Sequence, residues 1–334
     1  MGKESNFSLY SLYCLLFILT AARIKEVLNY EFLRNEEELH SALQKYGTRL
    51  GGEMAHRANS ILRRFCSSNS NCELMAPFKV YYPEYTIAGW PRRISSCIIP
   101  KNMSTVISAI FCLLFTGEMG RTDKTVTSFV ERSCSPRNGL HRYSQVEKLA
   151  HGYPWMNFAM VRDPAERFLS GFMYMCSSAK MVNETCEGCI GDLKCALRRT
   201  LEHSQKFASG DLSADSNLLW HLGPQNWHCD LQHNIDKFEL IQYSPNDPDK
   251  VAADLRYVLT VGGVEPWHIE LILSQVSNGT TCHATTHLAE KSVYMKQMED
   301  PEVKELLTKR MHSILQVFFW DYVLFNYPLP KWEF

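Results

Sequence analysis

The sequence has no surplus of positive charge: 35 lysines and arginines stand against 36 aspartates and glutamates over 334 residues. That excludes a protein that attracts polyanions by its bulk field, so an anionic ligand must be met by cations gathered in one place. Internal repeats and low-complexity tracts are also missing, which excludes a solenoid or a compositionally disordered chain. The glycine-rich loop G-x-x-x-x-G-K-[ST] does not occur, which argues against a nucleotide kinase. No carboxylate constellation suits a metal ion, and no metal is expected. What the chain does have is apolar bulk. With 45% hydrophobic and 12% aromatic residues it can bury one large domain with an appendage, or two modest domains.

One charge-free stretch stands apart. Nothing charged occurs between Glu4 and Arg23, and LYCLLFILTAA within it is strongly apolar. Two readings stay open: an uncleaved signal-anchor over residues 1–25, or a signal peptide removed at the small residues of TAA. Arg23 and Lys25, just beyond it, oppose the orientation that sends the C-terminus across a membrane. Twelve cysteines suit an oxidising compartment. Cys176, Cys186, Cys189 and Cys195 are tightly clustered, and disulfides stapling a loop are preferred there to a zinc site. Cys97 and Cys112 lie in apolar runs and read as buried thiols. The sequons at Asn183 and Asn278 fall in polar loops that suit glycans, whereas Asn6 and Asn102 do not.

Residues 26–89 read as a helical stem or peripheral layer, because Leu28, Phe32, Leu39 and Leu43 fall near one helical face. From residue 90 to 329 the pattern alternates between strand and helix. RISSCIIP and WMNFAMV are short apolar runs of strand type, and FELIQYS is another. STVISAIFCLLF, SQVEKLAHG, AERFLSGFMYM, DPDKVAADLRYVL and EPWHIELILSQV are helical, the second with a capping box from Ser144 to Glu147. A last helix opens at Asp300-Pro301 and runs towards Trp320. The fold class is therefore α/β, a mostly parallel sheet flanked by helices.

Two strand-to-helix junctions carry the chemistry, and in such sheets ligands bind at the carboxyl ends of the strands. In IIPKNMSTVISAI, Lys101 follows the strand, and Ser104 and Thr105 open the helix. An ammonium, two hydroxyls and a helix N-terminus converge there, as a phosphate cradle requires. In MVRDPAERFLSGF, Asp163 can cap the helix and Pro164 can take its first position. Arg162 is left at the strand end with its planar fork available to a phosphate, or to a structural contact with Asp163. Ser170 follows two turns later, and Arg167 sits on a nearby face in a role left undecided. Two basic strand ends in one sheet suit a ligand with two separated phosphates.

In that order, IPKNMST and VRDPAERFLSGF resemble the paired 5′- and 3′-phosphate motifs of sulfotransferases that use 3′-phosphoadenosine 5′-phosphosulfate (PAPS). The likeness is strongest to Golgi carbohydrate sulfotransferases of the chondroitin and HNK-1 group, nematode members above all. HLGPQNWHC resembles that family's His-x-x-Pro-Gln element, CHATTH its His-Ala-Thr segment, and FFWDYVLFNY its Asp-Tyr-x-x-Phe signature. The resemblance implies a fold related to P-loop kinases and a lumenal catalytic domain on a type II membrane anchor, against the flanking charges. It implies that Lys101, Asn102, Ser104 and Thr105 hold the 5′-phosphosulfate and that Arg162 and Ser170 hold the 3′-phosphate. Asn102-Met103 departs from the small or basic residues often found there. It further implies PAPS as donor without a metal, and a glycan acceptor such as an anionic glycosaminoglycan, not a nucleic acid. Lys101 is expected to stabilise the leaving oxygen and His221 to act as general base, with His283, His141 and His151 as competitors. Trp220, Trp227 and Trp267 can stack on sugars or fill a core, and Arg92 and Arg93 can guide an anion or merely be solvated.

Overall fold

The computed structural model describes residues 32–33, 74–75, 83–116, 138–176, 186–211, 217–278 and 311–328. The apolar N-terminal stretch, Asn183, His283 and Asp300-Pro301 lie outside these residues. Among those described, no helix is long and apolar enough to cross a membrane. Phe32–Leu33, read as helical, pair instead as a short antiparallel strand with Leu74–Met75.

A five-stranded sheet organises the rest. Its strands are β1 (Tyr85–Ile87), β2 (Ile94–Cys97), β3 (Gly139–Leu140), β4 (Met156–Arg162) and β5 (Glu239–Tyr243). They lie in the order β3-β1-β2-β4-β5. The helices are α1 (Ser104–Thr116), α2 (Tyr143–Ala150), α3 (Pro164–Met175), α4 (Leu193–Ala208), α5 (Asn217–Leu222), α6 (Leu231–Asn234), α7 (Pro248–Val261), α8 (Pro266–Asn278) and α9 (Met311–Leu324). The expectation of a mostly parallel sheet is corrected. β2-β4 and β4-β5 are parallel, but β1 pairs antiparallel with both β2 and β3. The link from β1 to β2 is only Ala88–Arg93, far short of the roughly dozen residues that a parallel crossover needs. The parallel half, β2-β4-β5, is the half that presents the two basic junctions side by side.

Period-two alternation along β4 divides the core between the faces of the sheet. Phe158 and Met160 join Ile94, Ile241 and the buried faces of α1, α7 and α8, whereas Ala159 and Val161 join α3, α4, α5 and α9. Local capping follows the sequence at α3 and shifts at α2. Asp163 accepts from the Ala165 and Glu166 amides at 3.0 Å, with Pro164 at the first turn. At α2 the reciprocal contact comes from Gln145, whose Oε1 accepts from the His141 and Arg142 amides, two positions earlier than the Ser144–Glu147 reading.

The cysteine cluster forms two local disulfides, Cys176–Cys186 and Cys189–Cys195. No group that could hold a metal occurs among the described residues. Cys97 is not a buried thiol. It bonds to Cys229 across 132 residues, tying the end of β2 to the segment that follows α5, and Cys112 is disulfide-bonded as well. Closing so long a loop restricts the unfolded chain far more than the two short staples do. Replacing the pair together, Cys97→Ala with Cys229→Ala, is expected to lower unfolding free energy by about 2–5 kcal/mol. Losing either short staple should cost less. Chemical denaturation of the three variants checks the ranking.

Candidate functional site

The segment between β2 and α1 turns sharply without glycine. Lys101 and Met103 have φ of 70° and 58°, in the left-handed region that non-glycine residues enter only at a cost on the order of 1–3 kcal/mol. Asn102 between them supplies the compensation. Its amide nitrogen donates to the Met160 carbonyl at 2.9 Å and to Gln225 Oε1 at 2.6 Å, and the residue is 1% exposed. A glycan on Asn102 is thereby excluded. Beyond the turn, α1 opens with half-buried Ser104 and Thr105. Its first amides have no acceptor within the helix and face the turn.

The second junction abuts the first, because β2 and β4 are neighbours. Arg162, buried at the end of β4, reaches the Lys101 carbonyl at 3.4 Å and lies over the Tyr243 ring at 5.2 Å. Its fork is not idle, as Glu166 stands 3.3–3.4 Å from it. Charge-assisted contacts usually close to about 2.7–2.9 Å, so this one is longer than most. Ser170 lies two turns along α3 and is also buried.

Arg167, undecided from sequence, is fully enclosed. It donates from Nε to the Pro100 carbonyl at 2.9 Å and from Nη1 to the Gly223 carbonyl, while Nη2 has no hydrogen-bond acceptor among the described residues. Its role is to hold the two loops together and to add positive potential beneath them. The consequence falls on Lys101. Burial, with Arg167 and then Arg162 nearby, pushes its ammonium down to about 7. Its Nζ rests 3.2 Å from the centroid of the Tyr174 ring.

His221 occupies the last turn of α5, half-buried, with its ring 5.5 Å from that of Tyr174. Its Nδ1 lies 2.9 Å from the Asn217 carbonyl. A carbonyl only accepts, so Nδ1 carries the proton and the basic lone pair is on Nε2, the tautomer a general base needs. α5 can approach α3 this closely because Gly171 has no side chain, since a Cβ there would stand 3.0 Å from the His221 carbonyl and closer still to Leu222.

Other candidates are set apart. His228 is buried against Trp220, and desolvation holds it well below the ordinary imidazole range, so it stays neutral. His151 lies at the amino end of β4, and His141 at the far edge of the sheet beyond β3. Arg92 is bound to Glu265 at 2.8 Å and to the Leu114 carbonyl, and Arg93 lies 4.7 Å from the Tyr153 ring. Both precede β2, at the end of the sheet opposite the two junctions, so neither guides a ligand to them. Trp227 is core, whereas Trp267 is exposed at that same opposite end and Trp220 is half-buried.

Three residues of the site escaped the sequence reading. Gln225 Oε1 also accepts from the Arg162 amide at 3.0 Å, and its Nε2 donates to the Arg162 carbonyl at 2.8 Å, so a side chain imitates a neighbouring strand. Asp321 on α9, 0% exposed, in turn accepts from the amides of Gln225 and Asn226 at 2.8 Å and from the Asn226 side chain at 2.7 Å. Both lie inside quoted motifs, His-x-x-Pro-Gln and Asp-Tyr-x-x-Phe, which was the available signal. Tyr174 had none. Gln225→Leu leaves both polar groups of Arg162 without these partners, and a loss of about 1–3 kcal/mol in urea unfolding is expected.

A family model described as the sulfotransferase family matches residues 84–328. Similar proteins from Caenorhabditis elegans include the carbohydrate sulfotransferase chst-1, 27% identical over 77% of this chain and 79% of its own length. The putative sulfotransferase vep-2 is 28% identical over 68% and 73% respectively. An uncharacterised protein, C18B2.2, is 26% identical over 80% and 75%. No solved structure matches the chain.

Proposed function

The chain belongs to the sulfotransferase family, and we propose that it transfers a sulfuryl group from PAPS to a hydroxyl of a carbohydrate, a chondroitin-like glycosaminoglycan being the acceptor class. One observation carries this reading: Lys101, Arg162 and Arg167 gather at the carboxyl ends of β2 and β4, where α1 also opens. A protein without surplus charge has brought these three cations together at the place where backbone amides already favour an anion. The donor fits the residues present. Lys101, Ser104 and Thr105 line the turn for the 5′-phosphosulfate, and Arg162 and Ser170 the neighbouring position for the 3′-phosphate; Asn102, expected beside them, is instead a support of the turn, because its side-chain and backbone amides are spent on Met160, Gln225 and Ile99. PAPS brings an electron-poor sulfuryl group whose transfer, like that of a phosphoryl group, is governed by positioning and electrostatics.

The chain's own groups then divide the work. The Lys101 ammonium and the amides of α1 stabilise negative charge developing on the leaving phosphate oxygen as its bond to sulfur breaks. The acceptor hydroxyl oxygen forms the new bond to sulfur, and its proton passes to His221 Nε2. Arg167 and Gln225 stay behind the site and fix its shape. The apolar stretch over residues 1–25 would anchor a lumenal domain of residues 90–329 in the Golgi membrane, the compartment that the disulfides suit. The relative chst-1 supports a carbohydrate acceptor.

The test uses the full chain, sulfur-labelled PAPS and a panel of desulfated glycosaminoglycans. Transfer is expected, and Lys101→Ala is expected to lower it by about 10²–10³-fold. No transfer, with no thermal shift from the product bisphosphate, would point instead to a glycan-binding protein that keeps the scaffold.

Binding of that bisphosphate carries its own signature. Lys101 loses its charge as pH rises through about 7 in the free protein, whereas an adjacent anion favours the charged form. Affinity should therefore be greatest below pH 7 and fall by up to about tenfold per pH unit above it. Calorimetry between pH 6 and 9 reads the slope, and Lys101→Ala should flatten it.

A further inference from the structure

Tyr174 is the side chain against which the two catalytic candidates meet. It stands one helical turn beyond Ser170 on α3, so the helix that offers a serine to the donor also offers this ring. Lys101 Nζ lies 3.2 Å from the ring centroid, well inside the range of a cation–π contact. The His221 ring is 5.5 Å away and inclined by 31°. The close approach of α3 and α5 at Gly171 fixes the backbone carrying each partner.

We propose that Tyr174 is a positioning residue for sulfuryl transfer, its ring setting the place of the Lys101 ammonium relative to the His221 imidazole. The inference rests on the function proposed above. The leaving oxygen must meet the ammonium while the attacking hydroxyl meets Nε2, and both groups take their positions from one rigid surface. The charged and titratable groups around Lys101 come from every side. Arg167 on α3 and Arg162 at the end of β4 act on it directly; behind them Glu166 faces Arg162, Asp321 and His228 face Arg167, and His221 lies against the Tyr174 ring. The cations among them oppose the ammonium, as does burial, while the face of the Tyr174 ring favours it.

Two variants separate the ring from its hydroxyl. Tyr174→Phe keeps the face, so kcat should stay within about twofold of the parent. Tyr174→Leu removes it, and kcat should fall about tenfold with little change in KM for PAPS. The titration of Lys101, followed by NMR with lysine labelled at Cε, should move in Tyr174→Leu from about 7 to a pH lower by roughly 0.5–1. In Tyr174→Phe it should not move. A purely structural role would reduce stability without separating these titrations. Should Tyr174→Leu fail to fold, Tyr174→Met provides a similar volume without a π face. Identical Lys101 titration in the parent and the Leu or Met variant would overturn the proposal. Absence of transfer by the parent would instead overturn the assigned reaction, since the lysine titration needs no turnover.

Discussion

A buried carboxylate holds the site together. Asp321 lies on α9, near the end of the described chain, yet it fixes a turn formed about a hundred residues earlier through two amides and the Asn226 side chain. Burial pushes this carboxyl up, and those three hydrogen bonds together with Arg167 work against that. Enclosing a charge is costly, and here both carboxylate oxygens accept hydrogen bonds that offset part of that cost. With the Pro224 turn fixed, Gln225 presents both ends of its amide to Arg162 and its oxygen to Asn102. The two junctions thus share one side chain, and neither can shift without the other.

Around that fixed point the fold arranges an electrostatic imbalance that bulk composition conceals. Arg167 is enclosed, with the Pro100 and Gly223 carbonyls as its side-chain hydrogen-bond partners among the described residues, and its field helps to depress Lys101. Such a cluster raises the energy of the protein alone and lowers that of a complex with an anion. The strained turn at Lys101 and Met103 belongs to the same economy: the backbone is held in an unfavourable conformation by Asn102, and the return is a set of amides aimed at one place.

Much of this was legible beforehand. Short apolar runs each followed by a capped helix identified β2, β4 and β5 and their successors, because periodicity and caps are local properties. Lys101 and Arg162 could be placed at strand ends, since each directly follows an apolar run. β1 itself was missed, its residues falling within the stretch 26–89 read as a helical stem or peripheral layer, because three residues carry no periodic signal; the brief Ala88–Arg93 link then requires it to run antiparallel to β2. For Arg92 the alternatives of guiding an anion or being solvated both give way to an ion pair with Glu265, a partner 173 residues away that no local pattern announces.

The sequence alone determined the α/β class, the two basic junctions and the cap at Asp163, all features written within a few consecutive residues. Tertiary structure decided which distant groups meet: Cys97 with Cys229, Gln225 with Arg162, Asp321 with the Pro224 turn, and Tyr174 with Lys101 and His221. These contacts are set by helix packing across the sheet, where the separation along the chain carries no information about distance. The depressed ammonium of Lys101 belongs to the same class, because burial and neighbouring charge exist only once the chain has folded.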